Sequence, residues 1–305
     1  MRLLLSWLAL TVCACAANFD RQLLRLAEEA QVFSYLAPKV IGQEKLEQVA
    51  MEPVPRFRAR GARLEIPYRR REIISEYGYS TFKDDPSNLH ELRQVVSVDG
   101  RQLKSRTKAR ETLTMGMRGD NDKLKKKMLK DFEAFGLREA ATDFGQIILL
   151  FTQAGQANLD LKFLRNDYIG PERAIVFSYA QKVGEQAMTV FEGRRAVRHQ
   201  LRGEVWLRES DGLPLRVTIG AEREAVKSDD DKDQVLKYAA VIDYQNSPHG
   251  LVLPVAVKYN ETLDALLLIE NRFSYSDFKM FGASSEIKFT VEDLPPSPPP
   301  VQKKK

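Results

Sequence analysis

Three histidines, His90, His199 and His249, fall in separate segments with no second ligand one helical turn away, so a histidine-held metal would have to be assembled entirely by the fold. Asp229, Asp231 and Asp233 match the first, third and fifth ligands of a calcium loop. The match then fails, because Gln234 replaces the glycine of the sharp turn and Ala240 stands where the bidentate glutamate belongs. A polar hairpin loop is the better reading. Ser97 and Ser178 sit in strand-like alternation, without the Gly-x-Ser-x-Gly elbow that exposes a nucleophile. No cysteine follows Cys15, which excludes disulfides, thiolate catalysis and cysteine-based zinc sites from the chain beyond it. Nothing in the sequence sets two carboxylates across a substrate. The expectation is a protein that is not an enzyme and holds no metal or cofactor.

What remains is apolar and basic chemistry. The run Ile147, Ile148, Leu149, Leu150, Phe151, with Leu267, Ile269 and Phe273, has the character of a cavity lining or of a dry core, and sequence alone does not separate the two. Residues 123–135 place Lys123, Lys125, Lys126, Lys127 and Lys130 against Leu124, Met128, Leu129 and Phe132, a pattern that suits an anionic membrane surface or simply a solvated helix docked on a sheet. Arg56, Arg58, Arg60, Arg63 and Arg69 to Arg71 are a second basic cluster, able to fork onto phosphate or to blunt a strand edge. A formal net charge of +5 over 305 residues argues for solubility rather than for a nucleic-acid partner.

These groups must be positioned by elements that the pattern outlines. Arg2 precedes the apolar stretch 3–12, and small residues follow to Ala17, which reads as an export signal over residues 1–17, too short for a membrane-spanning helix. Two processing routes stay open: cleavage after Ala16 or Ala17, or a lipobox Val12-Cys13-Ala14-Cys15 that would make Cys15 the lipidated first residue. The chain is then expected to be periplasmic, anchored at an outer membrane, or secreted. Residues 18–293 read as one β-rich domain. Residues 20–36 carry helical apolar spacing, early strands occupy 44–98 with 69–82 a strand pair or a strand bent near Gly78, and a two-helix insertion spans 120–154. A succession of short alternating segments fills 158–292, with Asp99-Gly100 and Asp211-Gly212 as tight turns, so consecutive strands should pair as an antiparallel meander. Asn260-Glu261-Thr262 fits a glycosylation sequon at an expected hairpin tip. Residues 294–305, rich in proline and ending in three lysines, cannot bury a core and are expected to remain extended or disordered.

The order of helix, early strands, helical insertion and meander, with the hairpin Gly203-Glu204-Val205-Trp206-Leu207 and Asp211-Gly212-Leu213-Pro214-Leu215-Arg216-Val217, resembles bacterial envelope proteins of the lipoprotein-carrier half-barrel superfamily, which includes LolA, LppX and RseB. The resemblance covers most of the chain in element order and rests on that hairpin in residue detail. It implies an α+β, mostly antiparallel fold in which a curved sheet wraps around helices and leaves an apolar cavity for a lipid or acyl chain. Ile147, Ile148, Phe151, Leu267, Ile269 and Phe273 would then line it. The rival expectation is a structural or protein-interaction module with the same sheet solidly packed. Neither reading fixes the oligomeric state.

Overall fold

The computed structural model describes residues 2–53, 66–119, 121–135, 137, 143–182, 188–192, 195–224 and 235–280; side chains are described within these except at 2–18, 188–199 and 221–224. Helix α1 (Arg2–Leu36) passes through a single 3-10 turn (Ala37–Lys39) into β1 (Val40–Met51), followed by β2 (Tyr68–Ser80), β3 (His90–Val98) and the short β4 (Arg101–Gln102). Two helices come next, α2 (Arg106–Arg118) and α3 (Asp122–Glu133), then a 3-10 segment (Ile147–Phe151) and the one-turn α4 (Gln153–Gln156). The remaining strands are β5 (Leu159–Ile169), β6 (Glu172–Gln181), β7 (Met188–Glu192), β8 (Arg195–His199), β9 (Arg202–Arg208), β10 (Pro214–Glu224), β11 (Val235–Asn246), β12 (Val252–Leu263) and β13 (Leu266–Met280).

Eleven strands form one open antiparallel sheet in the order β4-β3-β2-β1-β13-β12-β11-β10-β9-β6-β5, and β7 with β8 makes a separate ribbon. The order is the predicted meander with two exceptions: β1 joins β13, and β6 pairs with β9, because β7, expected within the meander, pairs with β8 in the separate ribbon. β1 lies against β13, so that Leu46 faces Phe273 and Gln48 faces Asn271 across the seam between the chain's two halves. Gln48 Nε2 donates to Asn271 Oδ1 at 2.6 Å in the interior. Tight turns behave as their residues demand: Asp99 and Gly100 take φ of 50° and 77° at the β3–β4 hairpin.

The sheet must curl, because α1 touches both β2, near one end, and β5, at the other. Phe33 meets Tyr79 of β2 edge-on at 5.2 Å, and Phe19 stacks on Phe163 of β5 at 4.5 Å. Those two helix positions are about 21 Å apart along the axis. The two strands are eight steps apart in the sheet order, roughly 38 Å if it were flat. Only a strongly curved sheet closes that difference, and α1 lies in its concavity.

The departures from expectation have local causes. Residues 69–82 give one strand, β2, and Gly78 serves contact rather than a bend, since a Cβ there would come within 2.6 Å of Met117 Sδ on α2. Helix α2 has no counterpart in the apolar periodicity because only Ala109, Leu113 and Gly116 are buried. The run 147–151 is a 3-10 turn, not a helix; Thr152 ends it and caps α4 through a bond from Gly155 N–H to its hydroxyl. Asn260 lies inside β12, paired with Ala239 and Glu270, not at a hairpin tip. The expected strand at 286–291, the acidic loop at 228–233 and the proline-rich tail lie outside the described residues. Among the described residues no helix is long and apolar enough to cross a membrane.

Candidate functional site

The concavity is filled by the chain itself. Leu26, Ala30 and Phe33, spaced to one face of α1, are fully buried, and Ile147, Ile148 and Phe151 of the 3-10 segment are buried beside them. They share one continuous core with Leu46, Tyr77, Tyr79, Val205, Leu207, Val217, Ile242 and Val257 of the sheet. Phe151 packs edge-on to Tyr179 at 5.2 Å, and Phe144 lies 5.2 Å from Tyr259. Each such side chain contributes about 1.5–3 kcal/mol by leaving water.

Of the six residues expected to line a cavity, the structure brings Ile147, Ile148, Phe151, Ile269 and Phe273 together in this core. Leu267 is not with them. The pairing of β12 and β13 shifts register between Glu261 and Thr262, so Ile269 pairs with Glu261 while Leu267 pairs with Thr262. The bulge breaks the alternation, and Leu268 takes the place against the core that Leu267 would otherwise hold.

The cluster that the sequence reading missed sits at the β1–β3 end of the same interior. Arg93 of β3 donates from Nε and Nη2 to the two carboxylate oxygens of Glu44 on β1, at 2.7 and 2.8 Å, and Nη2 also donates to Glu91. All three side chains are at most 2% exposed. The guanidinium lies over the rings of Phe132, Tyr77 and Phe273 at 5.1, 5.4 and 5.8 Å. Glu91 Oε1 accepts the Gly145 N–H at 2.6 Å, and the Glu91 N–H donates to Asp143 at 3.0 Å. Tyr244 completes the tether, donating to the Gly145 carbonyl and accepting the Ile148 N–H, each at 3.2 Å. A Cβ on Gly145 would lie 2.7 Å from each of Glu91 Oε1, Tyr77 Oη and Tyr79 Oη, so glycine is needed for this approach.

The electrostatics follow from two carboxylates facing one guanidinium out of water. Burial pushes Glu91 up to about 7, against the pull of Arg93, and the nearby Asp143 and Glu44 add to the rise. Burial disfavours the charge on Arg93, but Glu44 and Glu91 outweigh it and hold the guanidinium protonated. Tyr77 and Tyr79 are pushed up by burial and stay neutral. Parity could have revealed the cluster, since Glu44 shares its strand face with Leu46, and Glu91 shares its face with Arg93. A single sequence does not show which polar residue of an alternating strand points inward.

The remaining candidates are dispersed. Lys123, Lys126, Lys127 and Lys130 are exposed on α3, whereas Lys125 is buried and donates from Nζ to the Thr81 carbonyl at 2.6 Å. Five lysines therefore do not form one surface stripe. Leu113 of α2 and Met128 of α3 join Leu92 and Ile41 in a small separate core on the outer face of the sheet, while Phe132 at the end of α3 reaches the main core. Arg56, Arg58, Arg60 and Arg63 lie outside the described residues; Arg69 and Arg70 are exposed and Arg71 pairs with Asp99 at 2.9 Å. His90 sits between Asp85 and Asp143 at 3.2 and 3.3 Å, and His249 Nε2 lies 3.0 Å from the Phe278 carbonyl oxygen, while the His199 side chain is outside the described set. Among the described residues no group of three histidines, cysteines or acids is arranged to hold a metal ion. Two surface depressions, of about 570 Å³ over Lys162, Arg202, Gly203 and Glu204 and about 230 Å³ over Gln48, Met51, Arg69 and Arg71, include none of the six apolar candidates.

The fold and its interior define an α+β protein, mostly β, in which an open eleven-stranded antiparallel sheet curls around an N-terminal helix and carries two inserted helices. Among solved structures the chain is similar to a LolA superfamily protein from Nitrosomonas europaea, at 12% identity over 84% of this chain and 92% of that one, with a TM-score of 0.28. It is also similar to a DUF1329 family protein from Desulfovibrio piger, at 10% identity over 88% and 94%, with a TM-score of 0.32. No protein-family model and no curated protein matches the chain.

Proposed function

We propose that the protein is a noncatalytic, exported binding protein of a cell envelope that acts through its surfaces while its interior stays closed. The observation that supports this is the filled concavity: five of the six apolar candidates are packed in one core with α1, and the nearest ionisable groups are paired with one another away from solvent. A catalytic carboxylate must reach a substrate, and Glu44 and Glu91 are held where none can enter. Export is supported by the signal-like residues 1–17, with Cys15 as the lipidated residue if the lipobox route is used. The exposed Lys123, Lys126, Lys127 and Lys130 would add a diffuse attraction to anionic headgroups.

A second reading has its own support. The segment 143–151 belongs to no strand, and beyond the packing of Phe144, Ile147, Ile148 and Phe151 in the core it is tied down by hydrogen bonds with Glu91 and Tyr244. Withdrawing it would open the concavity, and an acyl chain would then take the place of Ile148 and Phe151. Native mass spectrometry with lipid extraction, on protein purified from its own envelope fraction, decides between them. The closed-interior reading expects a bare mass and no uptake of added fatty acid or phospholipid. Near-equimolar copurifying lipid, lost in a folded Ile148→Asp variant, would replace it with the carrier reading.

A further inference from the structure

The free edge of the sheet at β5 carries an apolar strip that packing leaves uncovered. β5 ends the strand order and pairs with β6 alone among the described strands. Its register shifts between Phe163 and Arg165, which leaves Leu164 unpaired and breaks the inward-outward alternation there. As a result Phe163 and Leu164, adjacent in sequence, are 44% and 46% exposed, and Tyr168 is 64% exposed. Phe163 pairs with Phe177 of the main core, and Tyr168 falls on the same face beyond the bulge, whereas Arg165 pairs with Val176 of a small separate core on the other face. Phe163 and Tyr168 therefore lie on the inner lip with the unpaired Leu164 at its edge, and Phe19 of α1 stacks on Phe163 at 4.5 Å and meets Phe177 edge-on at 5.9 Å.

We propose that this lip, Phe163, Leu164 and Tyr168, is a docking surface for a lipid bilayer, inserted at headgroup level beside the start of α1. The proposal rests on the reading of a protein that acts through its surfaces, and names the partner. The occupant is indicated by the residues that lie just before Phe19. Phe19 is four residues from Cys15 and shortly follows the apolar stretch 3–12, so a lipid on Cys15 or a retained apolar start would bring this lip to the membrane. One acyl chain holds a protein only marginally, and a second contact is needed for a lasting anchor. Two apolar side chains and the amphipathic Tyr168 have the composition of such a contact. An added protein strand is the poorer occupant, since the bulge and the charges of Lys162 and Arg165 interrupt the edge.

The test uses protein purified from its own envelope fraction and vesicles of phosphatidylethanolamine with phosphatidylglycerol. Leu164→Ser with Tyr168→Ser should lower vesicle affinity about tenfold or more at unchanged thermal unfolding. Phe163→Trp should report entry into lipid by a blue shift in emission that persists in high salt. Failure of the wild type to bind, equal binding by the double variant, or binding abolished by salt would overturn the lip. So would a dimer sensitive to Leu164→Ser in sedimentation velocity, which would assign the edge to a second copy. Copurifying interior lipid would remove the closed-interior reading whatever the lip does, whereas a bare mass with no effect at the lip would remove the lip alone.

Discussion

Raising the pH from about 5 to about 8 ionises Glu91 inside a cluster where Glu44 already neutralises Arg93, and the protein should lose stability as it does. The ordinary value for the carboxyl is 4.5 and the buried one is raised to about 7. Folding thus favours the neutral form. The contribution is fully present below the unfolded value and is lost as pH rises through the folded value. At about 1.4 kcal/mol for each tenfold change in acidity, that gap amounts to about 3 kcal/mol between the two ends of the range. His90 acts in the same direction, because Asp143 and Asp85 raise it against the effect of burial, so its contribution is also present below 6.5 and lost above its folded value.

Glu91→Gln separates the two. The substitution keeps an acceptor for the Gly145 N–H and leaves Arg93 in its two-bond pair with Glu44, while His90 is untouched. Urea unfolding across that pH range should show the variant about 1 kcal/mol below the wild type at the acid end, from the weakened hydrogen bonding. At the alkaline end it should be level with the wild type or above it. Were Glu91 an ordinary member of a stabilising ion pair, its removal would instead cost most at high pH, by about 3–5 kcal/mol. Parallel curves, with a difference that stays constant within about 0.5 kcal/mol, would refute the reasoning.

Arg93→Met should cost about 3–5 kcal/mol near pH 8, because it strands two buried carboxylates, and clearly less near pH 5, where Glu91 takes up its proton; the same urea series measures it. Gly145→Ala should destabilise by about 1–3 kcal/mol, since its Cβ would press on three hydrogen-bonding oxygens in a packed interior, and Tm by calorimetry should fall accordingly. Ile269→Ala should cost about 2–5 kcal/mol, whereas Leu267→Ala, turned away by the bulge, should cost about 1 kcal/mol or less in the same denaturation assay. Lys125→Ala should lower stability by about 1–2 kcal/mol through loss of its buried stem and its bond to Thr81, while Lys127→Ala should stay within about 0.5 kcal/mol.

Elements whose residues carry both pattern and punctuation were legible. The Asp99-Gly100 turn, the 203–219 hairpin and the amphipathic 20–36 stretch each combine an apolar period with a residue type that the geometry requires. α2 was invisible because its contact with the sheet is a thin stripe of Ala109, Leu113 and Gly116, too small and sparse to register as a period. The bulge at Leu268 could not be read either, since a run of Leu-Leu-Leu-Ile looks apolar on both faces in any register. The buried cluster was the largest omission. Its partners are 49 residues apart for Glu44 and Arg93, 54 for Glu91 and Gly145 and 99 for Tyr244 and Gly145, so no local spacing brings them together.

That separation also indicates why polar residues occupy an interior that apolar ones would fill more cheaply. A strand with two-residue alternation can slip by two along its neighbour and still present an apolar face, so packing alone specifies the pairing of β1 with β13 only weakly. The polar pairs do not survive such a slip. Shifting β1 by two residues would part Gln48 from Asn271 and put Leu46 or Ala50 opposite the amide, leaving a buried group without its partner at a cost of about 1–3 kcal/mol. The same shift against β2 and β3 would draw Glu44 away from Arg93 and expose the larger penalty of an unpaired buried charge. β1 is the strand where the two halves of the chain meet, and it is there that the interior carries hydrogen-bonding and charged groups on the face of Glu44, Leu46 and Gln48. The Gln48–Asn271 pair thus favours one register at the seam, the Glu44–Arg93 pair favours one register of β1 against β2 and β3, and Glu91 links that side to Gly145 of the segment filling the concavity.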